Sequence, residues 1–137
     1  MRHKCVGRKF GREADHRKAM LKNLVISLFQ HGQIETTQAK AKEMRGLAER
    51  VITYGKKGSL HHKRLAFSIV HDHALVKKIF DEIAPKYSNR NGGYTSVIKT
   101  KIRRGDAAPM ALIRLVEGEV VAEKEKDNIK AEDLNKE

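Results

Sequence analysis

The apolar residues of this chain recur at helical spacing over roughly its first two thirds and then switch to strict alternation. Met20, Leu21, Leu24, Val25, Leu28 and Phe29 return at three- and four-residue intervals and predict a helix over 16–30. Asp15 reads as its N-cap and Gly32 as its left-handed stop. QIET, residues 33–36, reads as a short extended link that could serve as an edge strand. A second helix is predicted over 37–54, with Met44, Leu47, Ala48, Val51 and Ile52 as its buried stripe. GKKGS, residues 55–59, then breaks the pattern: two glycines flank two lysines, and Ser59 is placed to cap the next helix. That third helix spans 60–70 with Leu65 and Ile69 apolar. A fourth starts after Asp72 as its cap, carries Val76, Ile79, Phe80 and Ile83, and ends at Pro85.

YSNRNGGY, residues 87–94, is turn chemistry with an arginine in it. From Tyr94 to Arg103 the chain alternates: Tyr94, Ser96, Ile98, Thr100 and Ile102 share one side, and Thr95, Val97, Lys99, Lys101 and Arg103 the other. RGDAAP, residues 104–109, leads into a second strand over 110–117, and so short a connection implies an antiparallel hairpin. A lone hairpin is marginally stable, so this one must pack on the helices, with QIET as its candidate third strand. Helices first and strands after give an α+β fold: about four helices packed on a small sheet that contains a C-terminal antiparallel hairpin. An extended basic N-terminal arm, residues 1–14, precedes that domain, which spans 15–117. An acidic tail, residues 118–137, comes after it and reads as disordered.

Charge sharpens this division. The 137 residues carry a net charge of +12. Residues 1–22 hold eight Lys/Arg against two acids, residues 23–116 seventeen against seven, and residues 117–137 four against eight. The positive field therefore belongs to the arm and domain, and the tail opposes it. Before the first helical pattern only Val6, Phe10 and Ala14 are apolar. Such a segment cannot offset an ordering cost of roughly 1–2 kcal/mol per residue by itself and needs a polyanionic surface to lie on. The basic first turns of the first helix (Arg17, Lys18, Lys22) are poorly placed for the helix dipole; bound phosphate would favour them there, and the alternative is a solvated face with a mild local penalty.

The same residues speak against other functions. The chain has no paired-carboxylate constellation and no GxSxG or Walker loop, and its glycines fit no dinucleotide spacing. Cys5 is the one cysteine, so no intrachain disulfide can form. It has basic neighbours but no framework to hold a base, and reads as an ordinary thiol. A structural zinc site wants four ligands in tight Cys/His pairs, and seven scattered histidines with one cysteine do not supply them. No metal, cofactor, catalytic residue or small-molecule substrate is expected. No apolar run approaches a membrane span, and the basic N-terminus lacks the apolar stretch of a secretory signal, so a cytoplasmic protein is expected.

What remains is nucleic acid. Lysines and arginines neutralise phosphates with release of counterions, and arginine adds planar bidentate contacts. The candidates are Arg2, His3, Lys4, Arg8, Lys9 and Arg12 on the arm, His16, Arg17, Lys18 and Lys22 at the helix start, and Arg45 on the second helix. Lys56, Lys57, Lys63, Arg64, Arg90, Lys99, Lys101, Arg103 and Arg104 lie further on, in the break, the third helix, the turn and the hairpin. Tyr94 is either a base-stacking ring or a core ring. A helix-turn-helix reader concentrates its charge on one recognition helix. Dispersed cations with a glycine-spaced arm suit RNA, which is bound through shape, phosphate and 2′-OH contacts.

Four segments resemble one known family. MRHKCVGRKFGREADHRKAML at the start, IETTQAKAKEMR, NGGYT and RRGDAAPMALIRLV are similar to the seventeenth protein of the bacterial large ribosomal subunit, over Met1 to about Val116. The resemblance implies a non-enzymatic ribosomal constituent bound to large-subunit ribosomal RNA near the polypeptide exit region, beside neighbouring ribosomal proteins. It also implies an RNA-contacting arm on an α+β domain. The chain departs from the family pattern at Ser96, where arginine is common after GGYT, and at Arg114, where glutamate is common before the closing Leu-Val. Lys99 or Arg90 is then expected to carry the missing charge. A small nucleic-acid-binding regulator acting off the ribosome is the alternative reading.

Overall fold

The computed structural model describes residues 7–116. Arg2, His3, Lys4, Cys5 and the acidic tail 118–137 lie outside the described residues. The first helix, α1, spans Ala14–His31 and buries Val25, Leu28 and Phe29. It starts two residues before the expected 16: Glu13 is the N-cap, and Asp15 sits in the first turn, where its charge suits the dipole. Gly32 ends it at φ 77, its N–H donating to the Leu28 carbonyl at 2.8 Å.

QIET is a strand. β1, Gln33–Thr37, leads straight into α2, Gln38–Lys57, the helix on which the domain is built. α2 packs against α1, the third helix and all three strands. Ala41, Met44, Ala48, Val51 and Ile52 are fully buried on it. The expected break at 55–59 begins three residues later than the sequence suggests. Gly55 is inside α2 and buried, and a Cβ there would lie 2.6 Å from the Ala84 Cβ. This glycine admits a close neighbour rather than ending the helix. Gly58, at φ 69, is the stop.

Ser59 caps α3, Leu60–Val70, accepting from the His62 N–H. Asp72 caps α4, His73–Lys78, accepting from the Ala74 and Leu75 amides at 2.8 and 3.3 Å. The chain does not stop at Pro85. It widens into a π turn, Ile79–Ile83, and tightens into a 3₁₀ turn, Ala84–Tyr87, that carries Pro85 in its first turn. The Ala84 N–H reaches back five residues to the Ile79 carbonyl. The wide turn thus re-registers the ladder just before the residue that has no N–H to give.

β2, Thr95–Ile102, and β3, Pro109–Leu115, form the expected antiparallel hairpin. The strand order is β1-β3-β2, with every pairing antiparallel, so the last strand in sequence is central. Ile34, Ile113 and Val97 lie side by side across the three strands and pack on the helices. Ile98 and Ile102 point outward, 41% and 71% exposed. One core joins the sheet's inner face to the helices. Tyr87, expected in the turn, belongs to it: the ring meets Tyr94 edge-on at 5.2 Å and the O–H donates to the Val116 carbonyl. Burial pushes the Tyr87 phenol above its ordinary value, with the Arg90 charge acting weakly the other way.

Candidate nucleic-acid interface

The described part of the arm is not a straight extended segment. The Arg12 N–H donates to the Lys9 carbonyl at 3.2 Å, and both residues between them have positive φ, Phe10 at 57 and Gly11 at 60. These are the dihedrals of a type I′ turn. Glycine adopts them freely, whereas for Phe10 they cost roughly 1–2 kcal/mol. The Arg12 guanidinium secures the turn by donating to the Phe10 carbonyl at 2.9 Å, while its Nε is buried with no hydrogen-bond partner. Arg8 stands 4.0 Å from Glu43 on α2, which ties the turn to the domain.

The candidate cations divide into those the fold engages and those it leaves for a ligand. Lys22 donates to the Ser68 carbonyl at 2.8 Å and lies 3.3 Å from His71 Nε2, so it closes the C-terminus of α3. Lys56 donates to the Arg90 carbonyl at 2.6 Å and to the Tyr94 hydroxyl at 3.2 Å, pinning the 88–93 turn onto α2. Arg45 donates to Glu49 at 3.0 Å, and the same carboxylate oxygen accepts from Thr95 Oγ1, linking α2 to β2. Lys18 is 3.5 Å from Asp15, both of them exposed. Lys63 sits 5.7 Å from the Phe80 ring centroid.

On the hairpin, Glu35 gathers Thr100 at 2.9 Å and Lys101 at 3.6 Å. At the tip, Arg103 clasps Asp106 through two parallel bonds of 3.0 and 2.6 Å. That bidentate contact holds the Asp106 carboxyl down at about 2, helped by the Ala108 amide. Among the described residues, Lys9, His16, Arg17, Lys57, Arg64, Lys99 and Arg104 have no salt bridge or side-chain hydrogen bond to protein, and neither does the Arg90 guanidinium. His62 bonds Ser59 Oγ through Nδ1 at 2.6 Å. Its pKa is lowered, first by desolvation and then by Lys57 and His61, so it adds no charge beside them.

Tyr94 is corrected by its burial. Its ring is 4% exposed and packs on Tyr87, which leaves no face for a base. Lys56 and Lys57 occupy the last turn of α2, where cations suit the dipole, rather than a loop. The two departures from the family pattern prove to be one feature. Ser96 and Arg114 are partners across the hairpin. Arg114 is exposed there and sets a positive charge on the sheet's outer face.

The sequence signature described as "Ribosomal protein L17" matches residues 20–116. The chain belongs to the ribosomal protein L17 family. A relative from Fusobacterium nucleatum is 59% identical over 116 residues, 85% of this chain and 100% of the relative. One from Thermodesulfovibrio yellowstonii is 52% identical over 132 residues, 96% of this chain and 97% of the relative. A third, from Moorella thermoacetica, is 55% identical over 109 residues, 80% and 97% of the two chains. All three are named "Large ribosomal subunit protein bL17". Among the described residues of this L17-family chain, no three metal-ligating side chains gather, and no helix is long and apolar enough to cross a membrane.

Sequence reading of the L17-family surface missed Lys77 and the exposed apolar residues Leu60 and Ile102. The signal for Leu60 was available. It stands seven residues before Phe67, one face of α3 two turns long, yet helical spacing alone does not tell a buried stripe from an open one.

Proposed function

We propose that this chain is a non-catalytic structural constituent of the large ribosomal subunit that binds large-subunit ribosomal RNA and works in the cytoplasm as part of the ribosome. Family membership, with relatives named as large-subunit proteins, is the observation that carries this reading. Its mechanism is phosphate neutralisation by the cations the fold leaves unengaged: Lys9 and Arg17 at the arm and α1, with the His16 imidazole beside them as a further hydrogen-bonding group, Lys57 and Arg90 at the end of α2, Arg64 on α3, and Lys99 and Arg104 on the hairpin. The engaged set, Lys22, Lys56, Arg45 and Arg103, shapes the surface that presents them. Residues 1–14 act as the arm and 15–117 as the domain that places it.

Replacing an unengaged cation with alanine should weaken binding to a large-subunit RNA fragment. It should also flatten the dependence of log affinity on log salt by about 0.7–0.9 for each phosphate no longer neutralised. Arg104→Ala and Lys99→Ala should do this, whereas Arg45→Ala should leave the slope unchanged. Filter binding over a series of salt concentrations measures it, and equal slopes for all three variants would refute the division. Co-sedimentation with intact large subunits in moderate salt separates this reading from a regulator acting off the ribosome.

A further inference from the structure

We infer that the groove between α3 and α4 is a docking site for the chain's own acidic C-terminal segment, residues 117–137. The groove has a volume of about 470 Å³. Its floor is Leu60, Phe67, Val76 and Phe80, and its rim carries Lys63, Arg64 and Lys77 against a single acid, Asp81. Leu60 is 64% exposed, and His73 stacks flat on Phe67 at 4.2 Å, extending the wall.

An apolar floor inside a cationic rim selects its occupant. A phosphate backbone would satisfy the rim but gain nothing from the floor. A Leu or Ile side chain placed on such a floor gains up to ~1.5–3 kcal/mol. The occupant is therefore a segment with aliphatic anchors and net negative charge. Residues 117–137 carry eight acids against four lysines, with Ile129 just after Asp127 and Leu134 just after Glu132 and Asp133. Each aliphatic anchor thus has acids beside it to meet Lys63, Arg64 and Lys77.

Reach and concentration agree with this assignment. The described chain ends at Val116, whose carbonyl accepts from Tyr87, and Tyr87 lies seven residues of helical turns beyond Phe80. Those turns advance only about 10–14 Å. The thirteen residues from Val116 to Ile129 can span about 40 Å when extended. A tethered segment meets its site at an effective concentration on the order of millimolar, so modest intrinsic affinity is enough to dock it. Docking would also cover Lys63 and Arg64. That consequence, unlike the docking, rests on the RNA reading above: the free protein would bind RNA less tightly until the segment is displaced.

Carbodiimide coupling of carboxylates to amines in dilute full-length protein at low salt tests this. Coupling from the tail carboxylates to Lys63 and Lys77 should exceed coupling to Lys57, Lys86 or Lys99 several-fold. It should fall several-fold in the Ile129→Ser/Leu134→Ser variant, whose changes lie outside the packed domain. Even coupling across all surface lysines, or coupling indifferent to that variant, would overturn the proposal. So would coupling confined to links between two copies, in a mixture of isotopically light and heavy protein. The same variant should bind unrelated RNA several-fold more tightly than the parent chain. Selective coupling with unchanged RNA affinity would uphold the docking and count against the RNA reading.

Discussion

Two glycines in α2 show how one residue type has opposite roles a few turns apart. Gly46 is exposed, and a methyl group added there would meet nothing within 4 Å, whereas one added at Gly55 would lie 2.6 Å from Ala84. Gly46→Ala should stabilise the protein by roughly 0.5–1 kcal/mol through helix propensity. Gly55→Ala gains the same propensity but forces α2 off the 3₁₀ turn. With overpacking costing roughly 1–3 kcal/mol, it should be net destabilising. Thermal unfolding of the two variants should move the midpoint in opposite directions, and movement in the same direction would refute the packing role of Gly55. At this scale the sequence was only partly legible. Gly32, Ser59 and Asp72 act as read, because caps are decided by the few residues around them. Gly55 and Tyr94 were misread or left undecided, because their roles depend on Ala84 and Tyr87, partners that spacing alone does not supply.

At the scale of elements, the hairpin tip is closed by a backbone bond from the Arg103 N–H to the Ala108 carbonyl at 2.9 Å and by the Arg103–Asp106 clasp beside it. Asp106 accepts both Arg103 bonds and a third from the Ala108 amide at 3.3 Å. Its folded pKa, about 2, lies below the ordinary 3.8, so the contact is present above about pH 4 and is lost as pH falls through about 2. Carbon NMR of the carboxyl should place the midpoint near 2. Asp106→Asn should speed amide exchange at Arg103 while leaving that of Ile113 unchanged, and a midpoint near 4 would refute the clasp. The elements themselves were legible: four helices, the QIET strand and the hairpin all arise from periodicity and turn residues. What escaped was the continuation past Pro85, since a proline predicts a stop unless a wide turn first re-registers the ladder. The turn at Lys9–Arg12 escaped as well, because Phe10 is an improbable residue for positive φ.

For the whole molecule, the core is shared by the helices and the sheet, and among the described residues the arm before α1 adds no buried side chain to it, meeting the domain at the Arg8–Glu43 ion pair. Deleting residues 1–12 should therefore leave the helical circular dichroism and the unfolding midpoint nearly unchanged, while RNA affinity falls and its salt dependence shallows. Loss of the helical signal would contradict the separation of arm from domain. The α+β class was readable from the order of elements, and the basic surface from composition. Which cations are already engaged was not, because Lys22 finds Ser68 and Lys56 finds Arg90 only after the chain has folded.

The strand order also bears on how the chain is made. Synthesis delivers β1 before α2 and holds β2 ready before the turn at its tip, yet the two strands share no backbone ladder, and their contact is through the Glu35 side chain to Thr100 and Lys101. Both wait for residues 109–115 to slide between them, so two open edges persist until nearly the whole domain has been translated.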